Sequence, residues 1–312
     1  MQSKDLLSIA DLTRNDIQTL LTNATDMKAQ GWNSLLSSKV LVLLFEKPSL
    51  RTRVSFEIAM RQLGGHSLYL SPDEVGLGKR ESVPDVAHVL GRYASAIAAR
   101  TFSHQTLEVL ARYSGVPVIN ALSDLEHPCQ ALADILTIYE KKERLEGLTL
   151  AYIGDGNNVA HSLILAASLT GINVHIASPP DYQVQERVLR LSREYAAENG
   201  TEILITGEPR MAVEGADVVY TDVWTSMGQE AEAARRRQIF AAYQITDTLL
   251  SLAKEDAIFM HPLPAHHGEE VAENILYSPQ SVVFDQAENR MHLQKALLAA
   301  IMGGLEIPLA KY

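Results

Sequence analysis

Apolar runs of strand length alternate with segments of helical period along almost the whole chain. Val40 to Phe45 (VLVLLF) is apolar throughout, the pattern of a strand buried on both faces. His66 to Leu70, Ala96 to Ala99 and Val116 to Leu122 read as further strands. Helical patterns lie between them at Arg51 to Leu63, Val83 to Tyr93 and Thr106 to Tyr113. A long helical pattern then runs from about His127 to Lys142, and after Gly147 the alternation restarts. Strands are expected at residues 148–153, 173–177, 201–205, 217–221, 257–261 and 281–284, with helices at 158–169 and 291–302. This order predicts parallel sheets with helices on both faces. The fold class is α/β: two doubly wound parallel-sheet domains joined by interdomain helices. One domain is expected over residues 1–138, with a C-terminal helix at 290–312 packing back on it, and the other over 139–289.

A length of 312 residues suits two ordinary domains. The formal net charge of −11 argues against nucleic acid as a partner. The single cysteine, Cys129, allows no intramolecular disulfide and fits a reducing cytoplasm. The first residues lack the basic patch and apolar run of a signal peptide, and no stretch has the length to span a bilayer. A cytoplasmic location is expected, with no membrane partner.

In such sheets ligands bind outside the carboxyl ends of the strands. After the strand ending at Phe45 comes EKPSLRTR, running into a helix. Ser49 is a good N-cap, and the first amides of the helix carry the positive end of its dipole. With Thr52 and Arg51 these donors suit a phosphate, although an ordinary capped helix with solvated arginines has the same pattern. Arg53, two residues on, faces elsewhere and is expected to make structural contacts. Arg100 ends the next strand and points toward the same crevice. His127-Pro128-Cys129-Gln130 opens the long helix, with proline at its first turn. His127 and Gln130 could hold a carbonyl oxygen as it gains charge, or His127 could be a simple cap. Cys129 reads as a packed small residue with no base nearby, and no second ligand at zinc spacing stands beside His127.

In the second half, GDGNN at 154–158 follows a strand but lacks the third glycine of the dinucleotide fingerprint. Its asparagines suit a small polar ligand better. Asp222 in DVWTSMGQE could pair with an ammonium group, and Ser226 and Met227 could position an amino acid, while Trp224 also suits a core. In His261-Pro262-Leu263-Pro264 two prolines are expected to keep the backbone extended, leaving the Leu263 carbonyl as an acceptor. Arg290, within ENRMH, is expected at the opening of the last helix.

Taken in order, FEKPSLRTRVSFE, HPCQALAD, GDGNN, DVWTSMGQE and HPLP resemble the aspartate/ornithine transcarbamoylase family over almost the whole chain, most closely its ornithine-type members. The Ser-Met-Gly segment is the discriminating one. The resemblance implies transfer of the carbamoyl group of carbamoyl phosphate to the side-chain amine of L-ornithine, with no metal or organic cofactor. It implies that the first domain takes carbamoyl phosphate and the second ornithine. It implies carbamoyl-phosphate contacts from Ser49, Leu50, Arg51, Thr52, Arg100, His127, Gln130 and Arg290, with Arg51 and His127 acting in catalysis. Asn158, Asp222, Ser226 and Met227 would hold ornithine. The family implies a homotrimer, or a multiple of trimers, whose shared sites receive a loop from the neighbour, here around Gly76 to Glu81. Two departures stand out. Pro262 occupies the place of the cysteine in the ornithine-type His-Cys-Leu-Pro loop and makes HPLP similar to the loop of the aspartate-type members, which favours another acceptor amine and leaves backbone roles for Pro262 and Leu263 at the reacting centre. Gly76 replaces a frequent glutamine.

Overall fold

The computed structural model describes residues 4–78, 80–225 and 230–303. The chain divides into two compact units, one taking in the chain up to Ala133 and again from Glu288, the other running Asp134–Ala287.

The first unit contains α1 (Arg14–Gln30), β1 (Val40–Phe45), α2 (Leu50–Gln62), β2 (His66–Leu70), α3 (Pro72–Val75), α4 (Val83–Tyr93), β3 (Ala96–Arg100), α5 (His104–Ser114) and β4 (Val118–Leu122). Its strands are parallel, in the order β2-β1-β3-β4. The chain therefore winds outward from β1 to β2, then returns to lay β3 on the other side of β1. That reversal is the topological switch point, where the loops after β1 and β3 part and leave a crevice. Val42 and Leu44 of β1 pack with Ile97 and Ala99 of β3 and with Val86, Ala87 and Leu90 of α4. The helix positions recur at three- and four-residue spacing, as a buried stripe requires. Fully burying a large aliphatic side chain is worth about 1.5–3 kcal/mol, so the switch point is anchored by the core beneath it.

α6 (Pro128–Lys142) crosses from the first unit into the second. The second unit continues with β5 (Thr149–Ile153), α7 (Asn158–Thr170), β6 (Asn173–Ala177), α8 (Glu186–Asn199), β7 (Ile203–Thr206), α9 (Pro209–Val213), β8 (Val218–Thr221), α10 (Ala233–Phe240), α11 (Asp247–Leu250) and β9 (Ile258–Met260). Its five parallel strands run β7-β6-β5-β8-β9, so its switch point lies between β5 and β8. α12 (Val283–Met302) then carries the chain back into the first unit. Both unit boundaries thus fall inside helices. The breaks expected after residues 138 and 289 lie a few residues further along the same two helices.

The strand expected at 281–284 is absent. Ser281 makes one isolated bridge to Phe259, and Val283 already starts α12. Val283, Gln286, Arg290 and Leu293 are buried at helical spacing while Phe284 is exposed, so the period of burial overrides the β-preference of Val-Val-Phe. Arg290 accordingly lies inside α12, and not at its opening. α1, α3, α8, α9, α10 and α11 have no counterpart among the elements expected from the pattern. No helix of the described residues is long and apolar enough to cross a membrane.

Candidate active site

β1, β3 and β4 end in register: Phe45 pairs with Arg100, and Arg100 with Leu122. The segments that follow them therefore start side by side. The Glu46 amide donates to the Arg100 carbonyl at 2.8 Å, and the Thr101 amide donates to the Leu122 carbonyl at 2.9 Å. The Glu46 carboxylate accepts from the Phe102 amide at 2.9 Å, tying the turn after β1 to the turn after β3.

Ser49 caps α2: its backbone is extended, and its hydroxyl accepts from the Thr52 amide at 3.4 Å. Leu50, 75% exposed, is the first helical residue, so its amide belongs to the unpaired first turn. Thr52 is buried and its Oγ1 accepts twice, from Ser49 Oγ at 3.0 Å and from Arg290 Nη2 at 2.7 Å. With both lone pairs engaged, its hydroxyl hydrogen is left to donate. Arg53 turns away, pairing with Glu57 at 2.8 Å and lying over the Tyr69 ring. Arg100, His127, Gln130 and Arg290 are all at least nine-tenths buried. The Nε atoms of Arg51 and Arg100 are buried and have no hydrogen-bond partner among the described residues.

The charges on these groups act on one another. Burial, then Arg290, then Arg51, hold the Arg100 guanidinium down to about 10. Burial lowers Arg51 as well. The His127 imidazole is pushed well below its usual value by burial first and then by Arg290 and Arg100, so it is neutral at pH 7. Arg100 thus faces two like charges while buried, and crowding like charges away from water is expensive. The cluster is therefore built for an anion, which it can meet with guanidiniums, a hydroxyl and the amides of a helix start. Cys129 is buried behind it. Its thiol approaches the Asn120 carbonyl at 3.5 Å and is raised to about 12 by burial, which makes it inert packing. Gly76 ends α3 with φ of +53°, and its backbone bonds run to Pro72 and Arg80 of its own loop.

The second unit repeats the device. Ile153 of β5 pairs with Thr221 of β8, and Tyr220 with Met260 of β9, so residues 154–158, 222–225 and 261–263 follow adjacent strand ends. Asn157 caps α7, accepting from the amides of Val159 and Ala160, and its Nδ2 donates to Asp222 Oδ2 at 2.8 Å. Asn158 is the first residue of α7 and half-buried. Burial raises the Asp222 carboxyl above the usual range. Ser226 and Met227 lie outside the described residues. After β9 the His261 amide donates to Gln286 Oε1 at 2.9 Å. The Leu263 amide donates to His261 Nδ1 at 2.9 Å, which leaves Nε2 to donate to Glu270 at 3.2 Å. Pro262 is buried and Leu263 half-buried. The extended course expected here is wrong at Leu263, which has φ of +57° and is followed by a cis bond to Pro264. The bond from its amide back to His261 holds it in that left-handed turn.

Several supporting residues escaped the sequence reading. Glu46 reads as one more surface charge. Arg236, from α10, donates to Asp155 Oδ2 at 2.7 Å and to the Trp224 carbonyl at 2.8 Å. Its signal was a buried period, with Phe240 one turn on, inside a run of three arginines. Asp134 accepts from Tyr220 at 2.9 Å and from Gln286 at 2.8 Å. A Cβ on Gly156 would meet the backbone of Gln183 and Val184 at 2.3 Å, so this glycine serves close packing of the chain and leaves no room there for a pyrophosphate. One group of potential metal ligands occurs among the described residues: His266, Glu269 and Glu270, within 4.8 Å of one another. Its carboxylates are already engaged, Glu269 by Arg237 at 2.8 Å and Glu270 by His261.

The site residues thus form two sets. Ser49, Leu50, Arg51, Thr52, Arg100, His127, Gln130 and Arg290 belong to the first unit, and Asn158, Asp222, Pro262 and Leu263 to the second. Comparison with known proteins parallels this division. Residues 4–140 match the carbamoyl-phosphate-binding domain model of aspartate/ornithine carbamoyltransferases, and residues 146–301 match the Asp/Orn-binding domain model. The chain is 50% identical over 313 residues to the ornithine carbamoyltransferase of Thermococcus kodakarensis, covering 98% of this chain and 99% of the relative. It is 50% identical over 312 residues to the anabolic ornithine carbamoyltransferase of Pyrococcus furiosus, covering 98% of each. The solved structure of the Pyrococcus furiosus enzyme superposes with a TM-score of 0.94 at 51% identity, over 97% of this chain and 98% of that one. The chain belongs to the aspartate/ornithine carbamoyltransferase family.

Proposed function

We propose that this chain transfers the carbamoyl group of carbamoyl phosphate to the side-chain amine of L-ornithine, giving L-citrulline and phosphate. The observation that carries the reading is the grouping of Arg51, Arg100 and Arg290 within reach of one another's charge, with Arg290 bonded to Thr52 and a neutral His127 beside Arg290 and Arg100, at the first switch point. Carbamoyl phosphate is an acyl phosphate whose phosphoryl group, like that of a monoester, brings about −1.5 to −2 charges at neutral pH, which offsets the mutual repulsion of the guanidiniums. Ser49, the Leu50 amide, Arg51, Thr52, Arg100 and Arg290 would bind its phosphate end. His127 and Gln130 would hold its carbonyl end.

The amine must attack in its neutral form, yet an alkylamine titrates near 10. Asp222, Asn158, Ser226 and Met227 would bind and orient the amino acid, and enclosure of the amine favours its neutral form. The Leu263 carbonyl would accept a hydrogen from it. As the carbonyl carbon becomes tetrahedral, Arg51, the free Thr52 hydrogen and His127 would stabilise the oxyanion, a contribution of about 3–4 kcal/mol per well-placed donor. The departing phosphate would take up the amine proton. Pro262 supplies no thiol, so His261 and the main chain of this turn do the positioning. The reaction would run in the biosynthetic direction, as the name of the Pyrococcus furiosus relative indicates for that enzyme. The protein would work in the cytoplasm as a homotrimer, or a multiple of trimers, with the Gly76 loop reaching a neighbouring subunit.

Citrulline-type product formation with ornithine, aspartate, putrescine and acetylornithine at equal concentration tests this. Ornithine should be the fastest acceptor. A faster rival amine, which the proline in the 261–264 loop would favour, overturns the substrate. Carbamoyl phosphate binding with no turnover on any amine overturns the activity.

A further inference from the structure

α10 contains three consecutive arginines, of which Arg235 and Arg237 are exposed and Arg236 is buried. A guanidinium is rarely buried without partners. Arg236 has them from three segments: Asp155 after β5, the Trp224 carbonyl after β8, and Glu232 at 3.3 Å on the approach to its own helix. Its plane also lies over the Tyr182 ring, 4.7 Å from the centroid. One side chain therefore joins the turn that leads to Asn157 and Asn158 with the turn that begins at Asp222. Asn157 spans the same gap from the other end through its bond to Asp222.

We propose that Arg236 and Asp155 are positioning residues for the amino-acid half-site: together they lock the turns after β5 and β8 so that Asn158 and Asp222 present one fixed arrangement to ornithine. The inference rests on the reading that this unit holds ornithine. Neither residue touches the substrate. Burial pushes the Asp155 carboxyl up to about 6 even beside the guanidinium, whereas Arg236 is raised, its own burial outweighed by its bonds to Asp155 and Glu232, so the pair is no plain source of stability. What such a pair supplies is geometry.

The test compares Arg236→Met, Arg236→Lys and Asp155→Asn with the exposed control Arg235→Met. Steady-state kinetics give KM for ornithine and kcat, and equilibrium titration gives carbamoyl phosphate affinity. Losing a hydrogen-bonded charge of this kind should raise the ornithine KM of Arg236→Met by about tenfold to a hundredfold, with carbamoyl phosphate affinity held within about twofold. The fall in kcat should be smaller than the rise in KM. Arg236→Lys should fall between, because an ammonium lacks the planar fork that reaches Asp155 and Trp224 together. Asp155→Asn should shift KM in the same direction, and Arg235→Met should match wild type. A folded Arg236→Met with wild-type ornithine KM overturns the inference, as does a parallel loss of carbamoyl phosphate affinity, which would mean general loosening. Should Arg236→Met fail to fold, unchanged KM in both Arg236→Lys and Asp155→Asn overturns it. Wild-type protein that makes no citrulline overturns the half-site reading, and this inference with it. Active wild type with unaffected variants overturns this inference alone.

Discussion

Replacing Arg100 with methionine should strengthen the empty protein and ruin its anion site at the same time. Arg100 is 6% exposed and is held from its ordinary range, above 12, down to about 10. At about 1.4 kcal/mol per pH unit, keeping that guanidinium charged at pH 7 costs roughly 3 kcal/mol. Methionine keeps much of the aliphatic stem and removes the charge, and the relief extends to Arg290 and Arg51, the like charges that face it. The ligand-free variant should therefore melt higher than wild type by several degrees, at about 2–4 °C per kcal/mol for a domain of this size. Against this, a charge-assisted contact to phosphate is worth about 1.5–3 kcal/mol, so affinity for carbamoyl phosphate should fall by about tenfold to a hundredfold. Thermal melts with and without carbamoyl phosphate read both effects. Wild type should start lower and gain more from ligand, and the variant should start higher and gain little. A variant that melts lower without ligand and keeps its full ligand-induced gain would refute the electrostatic reasoning.

Arg51→Ala should cut turnover by orders of magnitude while the protein stays folded, and near wild-type steady-state rates would remove Arg51 from the oxyanion role. Pro262→Cys should change ornithine KM or the pH optimum, because a thiol enters beside the Leu263 turn; unchanged kinetics would mean that the backbone alone suffices here. The neutral His127 makes stability depend on pH. Its folded value lies below the unfolded one, near 6.5, so the unfolded chain binds the extra proton as pH falls. The contribution is complete above about pH 6.5 and fades below it by up to about 1.4 kcal/mol per pH unit. Denaturant melts between pH 5 and 7 should show a flatter slope in His127→Asn than in wild type, and equal slopes would contradict a neutral buried imidazole.

The sheets were legible because their central strands are almost wholly apolar. VLVLLF in β1 and the run before GDG in β5 allow few other structures, and chemistry placed after each strand end follows from parallel topology. Ser49, Thr52, Arg100 and His127 could be located by that rule alone. Their assembly could not. That Arg290 donates to Thr52, 238 positions away, depends on α12 starting at Val283, and the β-branched residues there disguise the start. The left-handed turn at Leu263 was hidden by its flanking prolines, which by themselves favour extended chain. Arg236 and Glu46 were invisible for a different reason. A charged side chain reads as solvated until the partner that buries it is known, and Asp155 and the Phe102 amide lie far off in sequence.

The most direct measurement is an experimental structure with carbamoyl phosphate and norvaline, which mimics ornithine without its reactive amine. The phosphate oxygens should lie within about 2.7–3.2 Å of donors from Arg51, Arg100 and the α2 amides, with the carbonyl oxygen on Thr52 and His127 and norvaline beside Asn158 and Asp222. A phosphate bound away from these guanidiniums, with Arg51 and Arg100 unchanged and unliganded, would contradict the central claim.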